Sequence, residues 1–197
     1  LQKELGLTVD PDVMLVGVVS RLTWQKGFYL MMEKLSEICQ MPIQLSVLGS
    51  GEASIEEKMA QLEAGNRGKI AFYKGYNDSL AHRIYAACDM FLMPSLFEPC
   101  GISQLISMRY GTLPLVRETG GLKDTVTPYN EFDKTGNGFS FTNYNSDEMI
   151  QVMYNAISVY YDRPEDWKTL VRNAMDTDVS WDHSADTYCQ LYSQLHL

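Results

Sequence analysis

Residues 94–101 read PSLFEPCG and set a glutamate and a cysteine between two prolines and a glycine. Proline fixes φ and removes a backbone donor, and glycine takes backbone angles that other residues avoid, so such a loop holds a fixed shape. Glu98 is then a carboxylate kept in place, suited to accepting hydrogen bonds or to facing positive charge. A second stretch, SRLTWQKG at 20–27, carries Arg21 and Lys26. Two cations there can meet an anion, and a guanidinium fork suits phosphate oxygens. The same two residues also read as solvated surface charges. FEPCG and TGG (119–121) each place small residues and free N–H groups before a helix, and Thr119 adds a hydroxyl. Helix starts of this kind attract anions, although TGG alone also reads as an ordinary cap. GSG (49–51) permits either close backbone approach or a tight turn, and Tyr76 offers a face for stacking a base or for capping the core edge.

These residues need a scaffold, and the sequence supplies one. Continuous apolar runs of strand length occur at 14–20, 43–49, 69–76, 89–95 and 113–118. Helical spacing separates them: 28–39 as one helix with Leu30, Met31, Lys34 (by its stem), Leu35 and Ile38 on one side, then 55–65, 79–88, 102–111 and 119–126. Unbroken apolar strands alternating with helices predict a Rossmann-like parallel sheet covered on both faces, an α/β fold. Beyond residue 127 lies a polar, Gly/Asn-rich stretch containing a short strand, GFSF. Helices follow near 146–162, 164–177 and 181–195, the first started by Ser146 with Asp147 and Glu148, the second by Pro164. The whole of 1–197 reads as one domain with a helical C-terminal extension. In such a sheet ligands bind at the carboxyl ends of the strands, and every loop singled out above falls at such an end. Together they suit a diphosphate.

Bulk properties narrow the classes. The 197 residues are 45% hydrophobic and 21% charged, as in an ordinary globular protein. A net charge of −9 argues against nucleic acid as partner, because phosphate backbones need a basic face. The longest apolar run, Val13–Val19, is too short to cross a bilayer, and no leader peptide is visible. The start at Leu1 reads as a piece of something longer. Four scattered cysteines without a CxxC pair fit a reduced, cytoplasmic setting and do not build a zinc site. Asp10–Asp12 and Asp176–Asp178 are Asp-x-Asp pairs, but the first looks like a turn around Pro11 and the second sits at a helix end, so no metal cofactor is expected. A dinucleotide site wants GxGxxG after the first strand; here that position reads SRLTWQ, which removes the main support for a nicotinamide or flavin enzyme.

The stretches SRLTWQKG, GY followed by HRIYAACD, and above all PSLFEPCGISQLISMRYGTLPLVRETGGLKDTV (94–126) resemble the C-terminal half of bacterial glycogen synthases and plant starch synthases. These are retaining glycosyltransferases of the two-domain GT-B fold. The resemblance implies ADP-glucose as donor and a growing α-1,4-glucan as acceptor. It implies that Arg21 and Lys26 hold the donor diphosphate and that Tyr76 flanks the adenine. Gly101, Ile102, Thr119, Gly120 and Gly121 lie around the phosphates. Glu98 faces the donor glucose, and Cys100 lines the same pocket or else packs under the loop as a small hydrophobe. Many wider GT-B relatives carry a second glutamate eight positions after the first, where this chain has Ile106. The resemblance further implies an N-terminal domain that supplies acceptor surface, a donor loop and a catalytic histidine. None of these is found in the 197 residues, so the chain alone is expected to bind nucleotide without turnover.

Overall fold

The apolar runs become six strands in the computed structural model, which describes residues 1–195 except the His183 side chain. They are β1 (Met14–Val19), β2 (Ile43–Gly49), β3 (Ile70–Lys74), β4 (Met90–Met93), β5 (Leu113–Arg117) and β6 (Phe139–Phe141). All neighbours pair in parallel, in the spatial order β3-β2-β1-β4-β5-β6. The register aligns Met14 with Ile43 and Met90 with Leu113. Strand β1 shows why both faces are apolar. Met14, Val16 and Val18 join the larger core cluster, while Leu15 joins a second one with Leu48, Ala71 and Phe91 on the opposite face. Alternate side chains of one strand point to opposite faces, so a sheet covered on both sides needs an unbroken apolar run.

The helices are α1 (Phe28–Glu33), α2 (Leu35–Gln40), α3 (Ala53–Gly65), α4 (Asp78–Ala87), α5 (Ser103–Arg109), α6 (Gly121–Thr125), α7 (Ser146–Asp162), α8 (Pro164–Asp176) and α9 (Trp181–Leu195), with a single 3-10 turn over Trp24–Lys26. The single helix expected over 28–39 is instead two, broken at Lys34, whose φ is −113°. The Lys34 ammonium does not lie along the core; it reaches Glu37 at 2.9 Å and Asp147 on α7 at 2.5 Å. Those two carboxylates push its pKa up. Helix α7 is capped by Asn145, not Ser146: Asn145 Oδ1 accepts from the N–H groups of Asp147 and Glu148 at 2.8 and 3.0 Å. The Asp-x-Asp pairs are local turns, with Asp10 Oδ1 accepting from the Asp12 N–H and Asp178 Oδ1 from the Ser180 N–H, both at 2.9 Å.

Strand order fixes where a ligand can sit. The chain builds β1, β2 and β3 outward in one direction, then returns to place β4 against the other side of β1. The loops after β1 and β4 therefore leave the sheet side by side and diverge, opening a crevice between them. Arg21 and Lys26 follow β1, and Glu98 follows β4.

Candidate active site

Between those two loops is a cavity of about 230 Å³ lined by Arg21, Lys26, Ser95, Glu98, Gly101 and Ile102, among others. A second cavity of about 310 Å³ shares Val19, Ser20 and Arg21 with it and runs on to Gly49, Ser50 and Tyr76. The two make one cleft along the carboxyl edge of β1, β2 and β4, with Arg21 at the junction. Among the described residues the Arg21 guanidinium has no ion-pair partner, and it is exposed. Tyr76 is 85% exposed, so it does not cap the core edge. Its hydroxyl donates to Asp78 Oδ1 at 3.3 Å, which leaves the ring face open to the cleft.

Glu98 is not a free carboxylate. It is only 8% exposed, its Oε2 accepts from Lys26 Nζ at 2.5 Å, and the Ser95 hydroxyl donates to the same oxygen at 3.3 Å. A buried carboxylate must be paired, and Lys26 supplies the pair across the crevice. The 3-10 turn ends in Lys26, and the backbone N–H of Leu96 donates to Gln25 O at 2.9 Å, so the two loops are joined by main chain as well.

The rigidity of PSLFEPCG comes from its neighbours as much as from its prolines. Arg117, at the end of β5, donates from Nε to Ser95 O at 2.8 Å, from Nη2 to Leu96 O, and from Nη1 to Thr142 O at 3.4 Å. Its guanidinium also lies over the Tyr144 ring, 5.8 Å from the centroid, while the Tyr144 hydroxyl donates to Trp24 O at 3.2 Å. From below, the fully buried Gln104 donates through Nε2 to Cys100 O at 3.3 Å and Gly101 O at 3.1 Å. Neither Arg117, Gln104 nor Ser95 was expected from the sequence to belong to the site. Arg117 carried a signal, a lone cation closing an apolar strand run at its carboxyl end.

TGG has a packing part that the sequence did not suggest. A Cβ on Gly121 would stand 1.9 Å from Cys100 O, and one on Gly120 would stand 2.2 Å from Glu98 O. No side chain fits at either position, because α6 docks directly on the backbone of the Glu98 loop; the Gly121 N–H donates to Pro99 O at 3.0 Å. Thr119, Gly120 and Gly121 do not line the cavity, and α5 and α6 have only seven and five residues. Cys100 is exposed and lies outside the cavity lining, which rules out a small hydrophobe packed under the loop. Ile102 is 66% exposed at the cavity rim. Among the described residues no three His, Cys, Asp or Glu side chains come together as metal ligands, and no helix is long and apolar enough to cross a membrane.

Comparison with known proteins identifies the fold and the family. The sequence model of the family described as "Glycosyl transferases group 1" matches residues 6–173. The chain is 50% identical over 195 residues to the glycogen synthase of Clostridium beijerinckii, covering 99% of this chain and 40% of that protein. It is likewise 50% identical over 195 residues to the glycogen synthase of Streptococcus mutans, covering 99% of this chain and 41% of that one. The chain thus spans about 40% of the length of the curated relatives it matches, in their C-terminal part. The catalytic domain of starch synthase IV from Arabidopsis thaliana, solved bound to ADP and acarbose, superimposes with a TM-score of 0.87 at 34% identity, over 98% of this chain and 41% of that one. A C-terminal domain of a group 1 glycosyl transferase from Francisella tularensis shares the fold, with a TM-score of 0.64 at 17% identity over 89% of this chain and 95% of that one.

Proposed function

The chain belongs to the group 1 glycosyl transferases, and on that premise we propose that it is the donor-binding half of a glycogen synthase. The whole enzyme moves glucose from ADP-glucose to the non-reducing end of an α-1,4-glucan, with retention at the anomeric carbon. The observation that carries this reading is the shared cleft, with Arg21 at its middle, the Lys26–Glu98 pair at one end and the Tyr76 ring at the other. Similarity to glycogen synthases and to a starch synthase that binds ADP supports the choice of nucleotide.

In this reading Tyr76 flanks the adenine, and Arg21 and Lys26 hold the diphosphate. Gly101 and Ile102 border the phosphates directly; Thr119, Gly120 and Gly121 border them from behind the Glu98 loop. Glu98 accepts hydrogen bonds from the donor glucose, with Cys100 beside it. As the bond from the anomeric carbon to the phosphate oxygen breaks, positive charge grows on the sugar and negative charge on the diphosphate. The acceptor hydroxyl oxygen bonds the anomeric carbon on the face the phosphate leaves, and its proton passes to the departing phosphate oxygen. Glu98 complements the sugar charge, and the two cations complement the phosphate, where fixed donors act most strongly. Lys26 leaves Glu98 for the phosphate as donor arrives, which frees the carboxylate for the sugar.

The acceptor glucan meets the enzyme mainly on the part of the relatives that this chain does not span. The chain by itself binds nucleotide and does not turn over. Trp24 sits in the Arg21–Lys26 loop and is 53% exposed, so its fluorescence reports on the site. Titration with ADP should change that emission at lower concentration than titration with UDP. Equal response to both nucleotides, or glucan synthesis by the chain alone, would sink the reading.

A further inference from the structure

The loops after β1 and β4 face each other across the cleft, and a third loop holds them together from outside it. That loop, residues 142–145, joins β6 to α7 and lines neither cavity of the cleft. It is itself fixed. The Asn143 N–H donates to Glu148 Oε2 at 2.9 Å, and the Asn145 N–H to Asn143 O at 2.8 Å, while Asn145 caps α7. Tyr144 is the half-buried residue of this loop. Its ring packs against the larger core cluster and lies under the Arg117 guanidinium. Its hydroxyl reaches 120 positions back along the chain to Trp24 O.

Trp24 O is the oxygen that closes the turn bearing Lys26, because the Gly27 N–H donates to it at 3.0 Å. The Trp24 N–H is held separately, by Glu52 Oε1 at 2.9 Å. Gly27 has a φ of 80°, and a Cβ there would stand 1.9 Å from Pro94 O, so the turn rests directly on the backbone of the Glu98 loop. Tyr144 therefore touches both sides of the crevice. Its hydroxyl holds the turn of Lys26, and its ring supports the guanidinium that clamps Ser95 O and Leu96 O. Lys26 and Glu98 meet at 2.5 Å, and a displacement of about 1 Å in either loop would part them.

We infer that Tyr144 is a positioning residue of the donor site, which sets Lys26 against Glu98 and the diphosphate from outside the cleft. This rests on the donor reading above, in which the Lys26 ammonium moves from Glu98 to the phosphate. That exchange needs the turn to stay in place while the side chain moves. A turn closed by Gly27, seated on Pro94 and held by the Tyr144 hydroxyl leaves the Lys26 side chain as the mobile part.

A tyrosine kept only for packing could become phenylalanine without loss at the cleft. Tyr144→Phe keeps the ring and removes the hydroxyl alone. In the 197-residue chain it should weaken ADP binding about three- to tenfold by calorimetric titration, since loss of one neutral hydrogen bond lowers the fraction of chains with the turn in place by about that factor. Tyr144→Leu, which also removes the ring from Arg117, should weaken it further. In a Lys26→Ala background Tyr144→Phe should cost no more affinity, because Tyr144 acts through the turn that carries Lys26. Unchanged ADP affinity in Tyr144→Phe, or an equal loss with and without Lys26, overturns the inference and leaves the donor site standing. Amide exchange of the ligand-free chains separates the two readings. Tyr144→Phe should speed exchange at Gly27 and Leu96 about three- to tenfold and leave β1 unchanged. Unchanged exchange at both amides also overturns the inference. Faster exchange there in a chain that binds no ADP supports Tyr144 as the holder of the turn and overturns the donor reading.

Discussion

Lys26 Nζ lies 2.5 Å from Glu98 Oε2, across the crevice where the strand order reverses, and both side chains are mostly buried. The pair joins the one carboxylate and one of the two cations that the sequence marked out for chemistry, and without ligand each neutralises the other.

Removing one partner leaves the other charge buried alone. Lys26→Ala is expected to lower folding stability by about 1–3 kcal/mol, as for loss of a charge-assisted hydrogen bond at a buried site. Glu98→Gln on top of it should restore most of the loss, because the amide needs no counter-charge. Urea unfolding of both single variants and the double variant measures this coupling. A double variant as unstable as the sum of the singles would mean that the contact does not contribute to stability.

Arg21 presents the opposite case. It is exposed and, among the described residues, has no ion-pair partner, so Arg21→Ala should leave the urea midpoint within experimental error. The same substitution should weaken ADP binding about 10- to 100-fold, which is the effect of about 1.5–3 kcal/mol from one charge-assisted hydrogen bond. Calorimetric titration of ADP decides it. Unchanged affinity would remove Arg21 from the phosphate site.

Arg117 does not itself line the cavity but clamps Ser95 O and Leu96 O of the Glu98 loop. Arg117→Ala should cost about 2–3 kcal/mol and make residues 94–101 the first site of limited proteolysis. Arg117→Lys should recover less than half of that, since an ammonium cannot reproduce the planar fork. Full recovery by lysine would show that charge rather than geometry holds the loop.

Gly121→Ala tests how the second loop is held. The new methyl carbon would start 1.9 Å from Cys100 O, so backbone must move. A loss of more than about 2 kcal/mol is expected, together with weaker ADP binding, because the Glu98 loop moves with it. An alanine variant with wild-type stability and affinity would mean that α6 and this loop are not packed as described.

Asp89, just before β4, accepts the Leu15 N–H at 2.8 Å. Burial raises its pKa. A carboxylate whose folded pKa lies above its unfolded value, near 3.9, holds its proton more tightly in the folded state. Its contribution to stability is therefore greatest below the unfolded value and falls as pH rises through the folded one. Asp89→Asn keeps an acceptor for Leu15 and removes that penalty. Its urea midpoint relative to wild type should rise between pH 4 and neutrality. A fall over that range would mean that the ionised carboxylate stabilises the fold.

The sequence by itself determined the parallel sheet. Five apolar runs needed covering on both faces, and β2 ends where its run predicted, at Gly49. It also singled out the loops after β1 and β4 that line the cleft, because unusual residues after a strand stand out against an apolar background. It did not determine that Lys26 and Glu98, 72 positions apart, are partners, because pairing depends on β4 returning to the side of β1. The same holds for Arg117, which read as the end of a strand until its guanidinium found the carbonyls of Ser95 and Leu96. Lys34, where the helix breaks, pairs with Asp147, more than a hundred residues later. The glycines of TGG read as an anion-attracting helix start or an ordinary cap, and the tertiary structure adds another reason for them, the backbone of the Glu98 loop lying where a side chain would stand. Local pattern reports the burial and backbone freedom each residue needs. Which residue then meets which is decided by strand order and close packing, and those are properties of the whole chain.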